Sequence, residues 1–137
     1  MLRRFGRDVS DYVASVLAGF VDERRAVPTT VGDLLIALKS ASSEKEFMIR
    51  VQVGNHSLFL TGIFPQNIAQ RCARHAAPPL SFYEEIGSES YRRASDHRCA
   101  REQALVETYR KIAESFTELR RGLNQMSDRL LCLETMP

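Results

Sequence analysis

The strongest constraint on the fold is a repeating apolar pattern in the last third of the 137-residue chain. Its members alternate spacings of four and three, as follows: Leu105, Tyr109, Ile112, Phe116, Leu119, Leu123, Met126, Leu130 and Leu133. This spacing puts all of them on one stripe of an α-helix. At 1.5 Å per residue, a helix over residues 100–131 would be roughly 45–50 Å long. We therefore predict one long C-terminal amphipathic helix.

The predicted length of this helix bears on self-association. It exceeds the diameter of about 26 Å that is expected for a compact domain of this size. The stripe must be covered either by helices of the same chain or by a second copy. Both alternatives stay open, and the second predicts a homodimer that also uses the apolar segment 58–64.

The rest of the chain is also predicted to be helical. Thr30 is a candidate N-cap, and Ser43 with Glu46 forms a capping-box pattern. Residues 46–64 admit a β-hairpin as an alternative, because residues 48–53 also alternate apolar and polar side chains. Helix is favoured, since two strands alone would form a marginal sheet. We predict an all-α, single-domain bundle of five or six helices over residues 1–137.

Charge and cysteine content disfavour several functional classes. The chain has 19 basic and 17 acidic residues, a balance that does not indicate a nucleic-acid partner. Three cysteines do not form the framework typical of secreted domains. Asp8 and Asp11 interrupt the only candidate signal-peptide core, and no apolar stretch approaches the ~20 residues of a membrane span. We predict a cytoplasmic protein without a membrane partner.

Sequence motifs for catalysis and cofactors are absent. The chain contains no G-x-G-x-x-G, P-loop, H-E-x-x-H, C-x-x-C or G-x-S-x-G pattern. We therefore assign no catalytic residue and no cofactor, and we favour a non-enzymatic helical interaction or regulatory protein that acts as a homodimer over an enzyme.

Two clusters of side chains are candidates for binding ions. Cys72 with His75, and His97 with Cys99, supply two thiols and two imidazoles, a set that Zn²⁺ accepts. Ordinary helix residues are the simpler interpretation of all four. A second cluster could hold an anion, a partner carboxylate or, as a weaker alternative, nucleic acid, and it consists of Arg92, Arg93, Arg98 and Arg101. These arginines could equally pair with an acidic strip beside them, Glu84, Glu85, Glu89 and Asp96.

A small-ligand site between residues 54–65 and 83–91 is the alternative functional hypothesis. Polar groups occur there among glycines and apolar residues, namely Asn55, His56, Thr61, Tyr83 and Tyr91. The competing interpretation is close helix packing at the glycines, with the tyrosine hydroxyls hydrogen-bonded inside the fold.

The same two segments carry a family resemblance. The first matches G-[DN]-x-x-L-F-x-x-G-x-F-P with Gly54, Asn55, Leu58, Phe59, Gly62, Phe64 and Pro65. The second matches Y-x-x-x-G-x-x-x-Y-x-x-A with Tyr83, Gly87, Tyr91 and Ala94. Together they resemble a bacterial protein family without an assigned activity, in which Asn55 is expected to be aspartate. The resemblance implies helices around both motifs and supplies no substrate.

Overall fold

The computed structural model describes residues 6–22, 30–74 and 78–135, and their regular structure is entirely α-helical. The all-α prediction is confirmed for these residues, but they form eight helices where five or six were expected. In chain order, α1 to α8 are Arg7–Asp22, Val31–Leu38, Ser43–Ile63, Pro65–Ala73, Leu80–Ser95, Arg98–Glu102, Val106–Glu114 and Phe116–Thr135. None of the described helices combines the length and apolar character that crossing a bilayer requires.

The segment for which a β-hairpin was the alternative, residues 46–64, lies almost entirely in one continuous helix, α3, so the hairpin alternative is wrong. The cap that starts α3 is Ser42, whose hydroxyl accepts from the backbone N–H of Lys45, and not Ser43 as the sequence pattern indicated. The cap predicted at Thr30 is confirmed, because its side chain and that of Asp33 form a reciprocal capping box. Pro65 occupies the first turn of α4, where its missing N–H costs nothing.

The predicted unbroken C-terminal helix is wrong, because the chain interrupts it twice. Ala104 adopts a left-handed conformation with φ 58°. The backbone N–H of Leu105 then donates to the Ala100 carbonyl at 2.8 Å, and the backbone N–H of Ala104 donates to the Arg101 carbonyl at 3.1 Å. These two bonds form a Schellman motif that ends α6. A second break lies at Ser115, between α7 and α8. Beside this break, Ser88 of α5 donates its hydroxyl to the Ala113 carbonyl at 2.8 Å.

The apolar stripe of the C-terminal region is covered by the same chain along most of its length. Tyr109, Ile112, Phe116, Leu119 and Leu123 are all buried. Met126 is 36% exposed, and the predicted members Leu130 and Leu133 lie outside the side chains that the structure describes. With 20 residues, α8 is only about 30 Å long. The helix length therefore gives no reason to invoke a second copy.

Helix α3 occupies the centre of the fold and packs against α1, α2, α4, α5 and α8. Two apolar clusters result from this arrangement. The larger joins α1, α3, α5, α6, α7 and α8, and its largest fully buried side chains include Leu58, Tyr91 and Ile112. The smaller joins α2, α3, α4 and α5 through Val31, Leu34, Val53, Ile68 and Tyr83.

Candidate functional site

The two motif segments form the contact between α3 and α5, and glycines set its spacing. A Cβ atom added to Gly54 would lie 2.8 Å from the ring atom Cζ of Tyr91. One added to Gly87 would lie 2.7 Å from both Ser57 Cβ and Phe116 Cζ. Two carbon atoms that are not bonded to each other do not approach this closely, so only glycine fits at either position. The two helices therefore touch directly where the ligand hypothesis required a space.

The third motif glycine sets the distance between α3 and α8. A Cβ atom at Gly62 would lie 2.7 Å from Leu123 Cδ1 and 2.9 Å from Leu123 Cβ. Gly54, Gly62 and Gly87 thus share one role, which is to admit a large side chain of a neighbouring helix. Helix packing accounts for all three without a ligand.

Two tyrosine hydroxyls converge on the side-chain oxygen of Asn55. Tyr12 donates to Asn55 Oδ1 at 2.9 Å and Tyr91 donates at 2.7 Å. Asn55 stands where the family pattern expects aspartate, and its neutral amide supplies this acceptor without placing a charge among aromatic rings. Tyr109 completes the cluster, with its ring centroid 5.4 Å from that of Tyr12 and 6.0 Å from that of Tyr91.

Burial determines the protonation of these phenols. Removal from water raises the pKa of Tyr12, Tyr91 and Tyr109 above the usual value of 10.0, and for Tyr12 and Tyr91 the neighbouring phenol adds to the increase. All three hydroxyls are therefore neutral near pH 7. A neutral phenol with its proton directed at Asn55 serves as a structural hydrogen-bond donor and not as a general base.

The remaining residues of the predicted ligand site also contact parts of the fold outside this tyrosine cluster. Tyr83 is buried in the smaller apolar cluster. Thr61 donates its hydroxyl to the Ser57 carbonyl of its own helix at 2.8 Å. The His56 ring packs edge-on against Phe20, with centroids 4.7 Å apart. Among the five predicted residues, Asn55 and Tyr91 are brought together by a hydrogen bond.

One buried hydroxyl lacks a partner among the described residues. Ser57 Oγ is fully buried and forms no hydrogen bond with any part of the chain that the structure describes. It lies on α3 at the close contact with Gly87. A buried hydroxyl without a partner reduces stability, because it has lost its bonds to water.

Ser57→Ala is therefore expected to raise the free energy of unfolding by about 1 kcal/mol. The matched control is Ser88→Ala, which removes a hydroxyl that does have a partner, the Ala113 carbonyl. That change is expected to lower the free energy of unfolding by about 1 kcal/mol. Urea denaturation followed by circular dichroism measures both values. A loss of stability in Ser57→Ala would contradict the prediction, because it would mean that the Ser57 hydroxyl forms a hydrogen bond in the folded chain.

A polar network that the sequence analysis missed connects α5, α8 and the end of α3. Arg120 bonds the Glu84 carboxylate, and both side chains are largely buried, at 16% and 20% exposure. Arg120 also donates to Asn124 Oδ1 at 3.0 Å. Asn124 Nδ2 in turn donates to the Thr61 and Gly62 carbonyls at 2.8 and 2.7 Å. Side chains of α8 thus satisfy carbonyls that the end of α3 leaves unbonded.

The predicted zinc ligands are not seen to assemble. His75 lies outside the described residues, and Cys72 lies half-buried on α4. The His97 ring is engaged in other contacts, since Nδ1 accepts from the Cys99 N–H at 3.1 Å and Nε2 lies 3.0 Å from Ser43 Oγ. Within the described ranges, no group of three His, Cys, Asp or Glu side chains could hold a metal ion.

Three of the four predicted arginines are paired with acidic side chains of the same chain. Arg93 Nε donates to Glu89 at 2.8 Å, and Arg92 also bonds Glu89. Arg98 bonds Glu44 of α3 at 3.0 Å. Arg101 is exposed on α6. The pairing of Arg92 and Arg93 with Glu89 fits the alternative in which the arginines pair with the acidic strip beside them.

Comparison with known proteins yields no relative: no family model, curated protein or solved structure matches this chain.

An open groove runs along α5. Its first wall is α5, with Glu84, Glu85, Glu89, Arg92 and Asp96 among the lining residues. The second wall is formed by α7 and α8 and consists of Arg110, Ala113, Glu114, Phe116 and Thr117. Phe82 and Ile86 add apolar surface. The groove thus combines apolar patches with charges of both signs.

Proposed function

We propose that this protein is a non-enzymatic helical interaction or regulatory protein that acts as a homodimer in the cytoplasm. The observation that carries the proposal is the direct contact of α3 with α5. Gly54 and Gly87 leave no space between these helices, and Asn55 and Tyr91 bond each other. The features that motivated a ligand site thus have a structural use, and a function at the surface is favoured over one in the interior.

Features of the surface support a protein partner. Large apolar side chains are exposed on three helices and on the joint between α3 and α4: Ile36 at 67%, Met48 at 59%, Phe64 at 46% and Met126 at 36%. Together with the groove along α5, they provide apolar and charged contact surface. The buried residues of the C-terminal apolar stripe do not support a partner, because they already pack against helices of the same chain.

We also propose that the chain belongs to the bacterial family that its two motifs resemble. The residues of these motifs would then specify the α3–α5 and α3–α8 contacts in each member. The family's aspartate would then accept a hydrogen bond from the motif tyrosine that corresponds to Tyr91.

Light scattering on the purified full chain tests the homodimer. At micromolar concentration and low ionic strength, the expected mass is twice the 15.5 kDa of one chain. A mass of one chain over the same concentration range would overturn the proposal.

A further inference from the structure

We propose that the two copies pair through α5, with the two helices antiparallel about a two-fold axis. This inference rests on the homodimer proposed above and assigns its contact surface. The surface, termed the α5 stripe, consists of Ser81, Glu85, Ser88, Arg92 and Asp96. Ser88 is half-buried and the other four are exposed.

The α5 stripe lies on the outer face of its helix, with Ser88 at the edge of this face, where its hydroxyl donates to the Ala113 carbonyl of α7. The residues Tyr83, Gly87, Tyr91 and Ala94 are buried and form the opposite face. Stripe members are spaced by four, three, four and four residues, which keeps them on one side of a helix. Two of the five are serines, whose small side chains permit a second helix to approach.

The charges of the α5 stripe complement themselves in one orientation. Glu85 and Arg92 are seven residues apart, which is two turns or about 10.5 Å along the helix. If a two-fold axis passes between Ser88 and Glu89, Glu85 of each copy lies opposite Arg92 of the other copy. Two equivalent ion pairs result, as isologous symmetry requires. A parallel arrangement would instead place Glu85 against Glu85 and Arg92 against Arg92.

Arg92 can turn toward a second copy without leaving a carboxylate unpaired. Its present partner, Glu89, also accepts from Arg93 at 2.8 Å. The hydrogen bond from Arg93 is the main reason why the pKa of Glu89 is lowered. Glu89 thus keeps a partner when Arg92 leaves, and the Arg92 side chain is already 66% exposed.

The same register complements the ends of the two helices. Helix α5 follows Pro79, which supplies no side-chain hydrogen bond to the first turn. In the antiparallel pair, Asp96 of the second copy lies opposite Ser81 in this first turn. A carboxylate near a helix N-terminus is favourable, because the unbonded N–H groups there carry partial positive charge. Each copy supplies one such contact.

The groove beside α5 provides the space that this arrangement needs. A second α5 lying along the first would also face Ala113 and Glu114 on the other wall. Because most of the contacts are ionic, the dimer is expected to weaken as ionic strength rises from about 0.05 M to about 0.5 M, where screening acts over shorter distances.

Charge reversal tests the pairing. Glu85→Arg and Arg92→Glu each place like charges opposite each other at two positions of the dimer. Each variant alone is expected to have a dimer dissociation constant at least about tenfold higher than the parent chain. An equimolar mixture of the two variants is expected to recover the parent affinity, since all four side chains then face opposite charges. Sedimentation velocity measures all three samples, and recovery in the mixture shows that both variants are folded.

The double variant Glu85→Arg with Arg92→Glu determines the orientation. In an antiparallel pair it associates with itself and not with the parent chain, whereas in a parallel pair it associates with the parent chain. Arg71→Glu on α4, an exposed reversal outside the groove, is the matched control and should leave the affinity unchanged. A parent dimer that neither single reversal weakens would overturn the α5 pairing while the homodimer stands. A monomeric parent chain would overturn both.

Discussion

Gly87→Ala is expected to lower the free energy of unfolding by about 1–3 kcal/mol, although alanine is the better helix former. The added Cβ would lie 2.7 Å from Ser57 Cβ and 2.7 Å from Phe116 Cζ. Both neighbours are buried, and the Cβ of Ser57 is fixed to its helix backbone. The contact can therefore be relieved only if α3, α5 and α8 move apart, which loses packing along their whole interface.

The control for this prediction is the same substitution at a site with free space. Gly19 is exposed on α1, and a Cβ there would meet nothing within 4 Å. Gly19→Ala is expected to raise the free energy of unfolding by about 0.5–1 kcal/mol, because alanine loses less backbone entropy in a helix. Denaturation in urea compares the two variants. If both were stabilised alike, α3 and α5 would not be in contact and space for a ligand would exist between them.

Leu123→Ala is expected to destabilise each folded chain by about 2–5 kcal/mol, the range seen when a buried leucine is truncated. Leu123 is completely buried and packs directly over Gly62. The shorter side chain would leave a cavity at the contact of α3 with α8, where few neighbours can move to fill it. The dissociation constant of a dimer should change little, because this residue faces the interior of its own chain.

Met126→Ala is the matched control, because it shortens the next member of the apolar stripe at a site that is 36% exposed. We expect a loss of less than about 1 kcal/mol there. Thermal and urea unfolding report stability, and sedimentation reports association. A Leu123→Ala variant with parent stability but weakened self-association would mean that the stripe lies between two chains, as the sequence alone had allowed.

Much of the fold could be predicted from the sequence, because local signals determine the helices. Apolar spacing indicates α1 and α5, Thr30 marks the start of α2, and Pro65 marks the start of α4. The end of α6 carries no such signal. Its left-handed position is filled by Ala104, where glycine would normally mark a helix end. The break at Ser115 likewise leaves the apolar spacing intact.

The arrangement of the candidate site was harder to predict, because it depends on pairs that are distant in sequence. Tyr91 and Asn55 were both named as polar residues of interest, but their hydrogen bond spans 36 residues and requires α3 and α5 to be adjacent. Tyr12 falls within the apolar spacing of α1, which does not reveal that its hydroxyl needs an acceptor inside the fold. The bond between Glu84 and Arg120 had no local signal, since each residue has the pattern of a solvated helix surface.

Native mass spectrometry of the purified full chain tests the central claim most directly, because it reports subunit number and retained small molecules together. The claim is that the motif residues fill the space between α3 and α5, so that the protein acts through its surface. We predict a species with twice the 15.5 kDa chain mass and no additional bound mass. A single chain, or a species that carries a small molecule lost on Gly87→Ala substitution, would contradict the account.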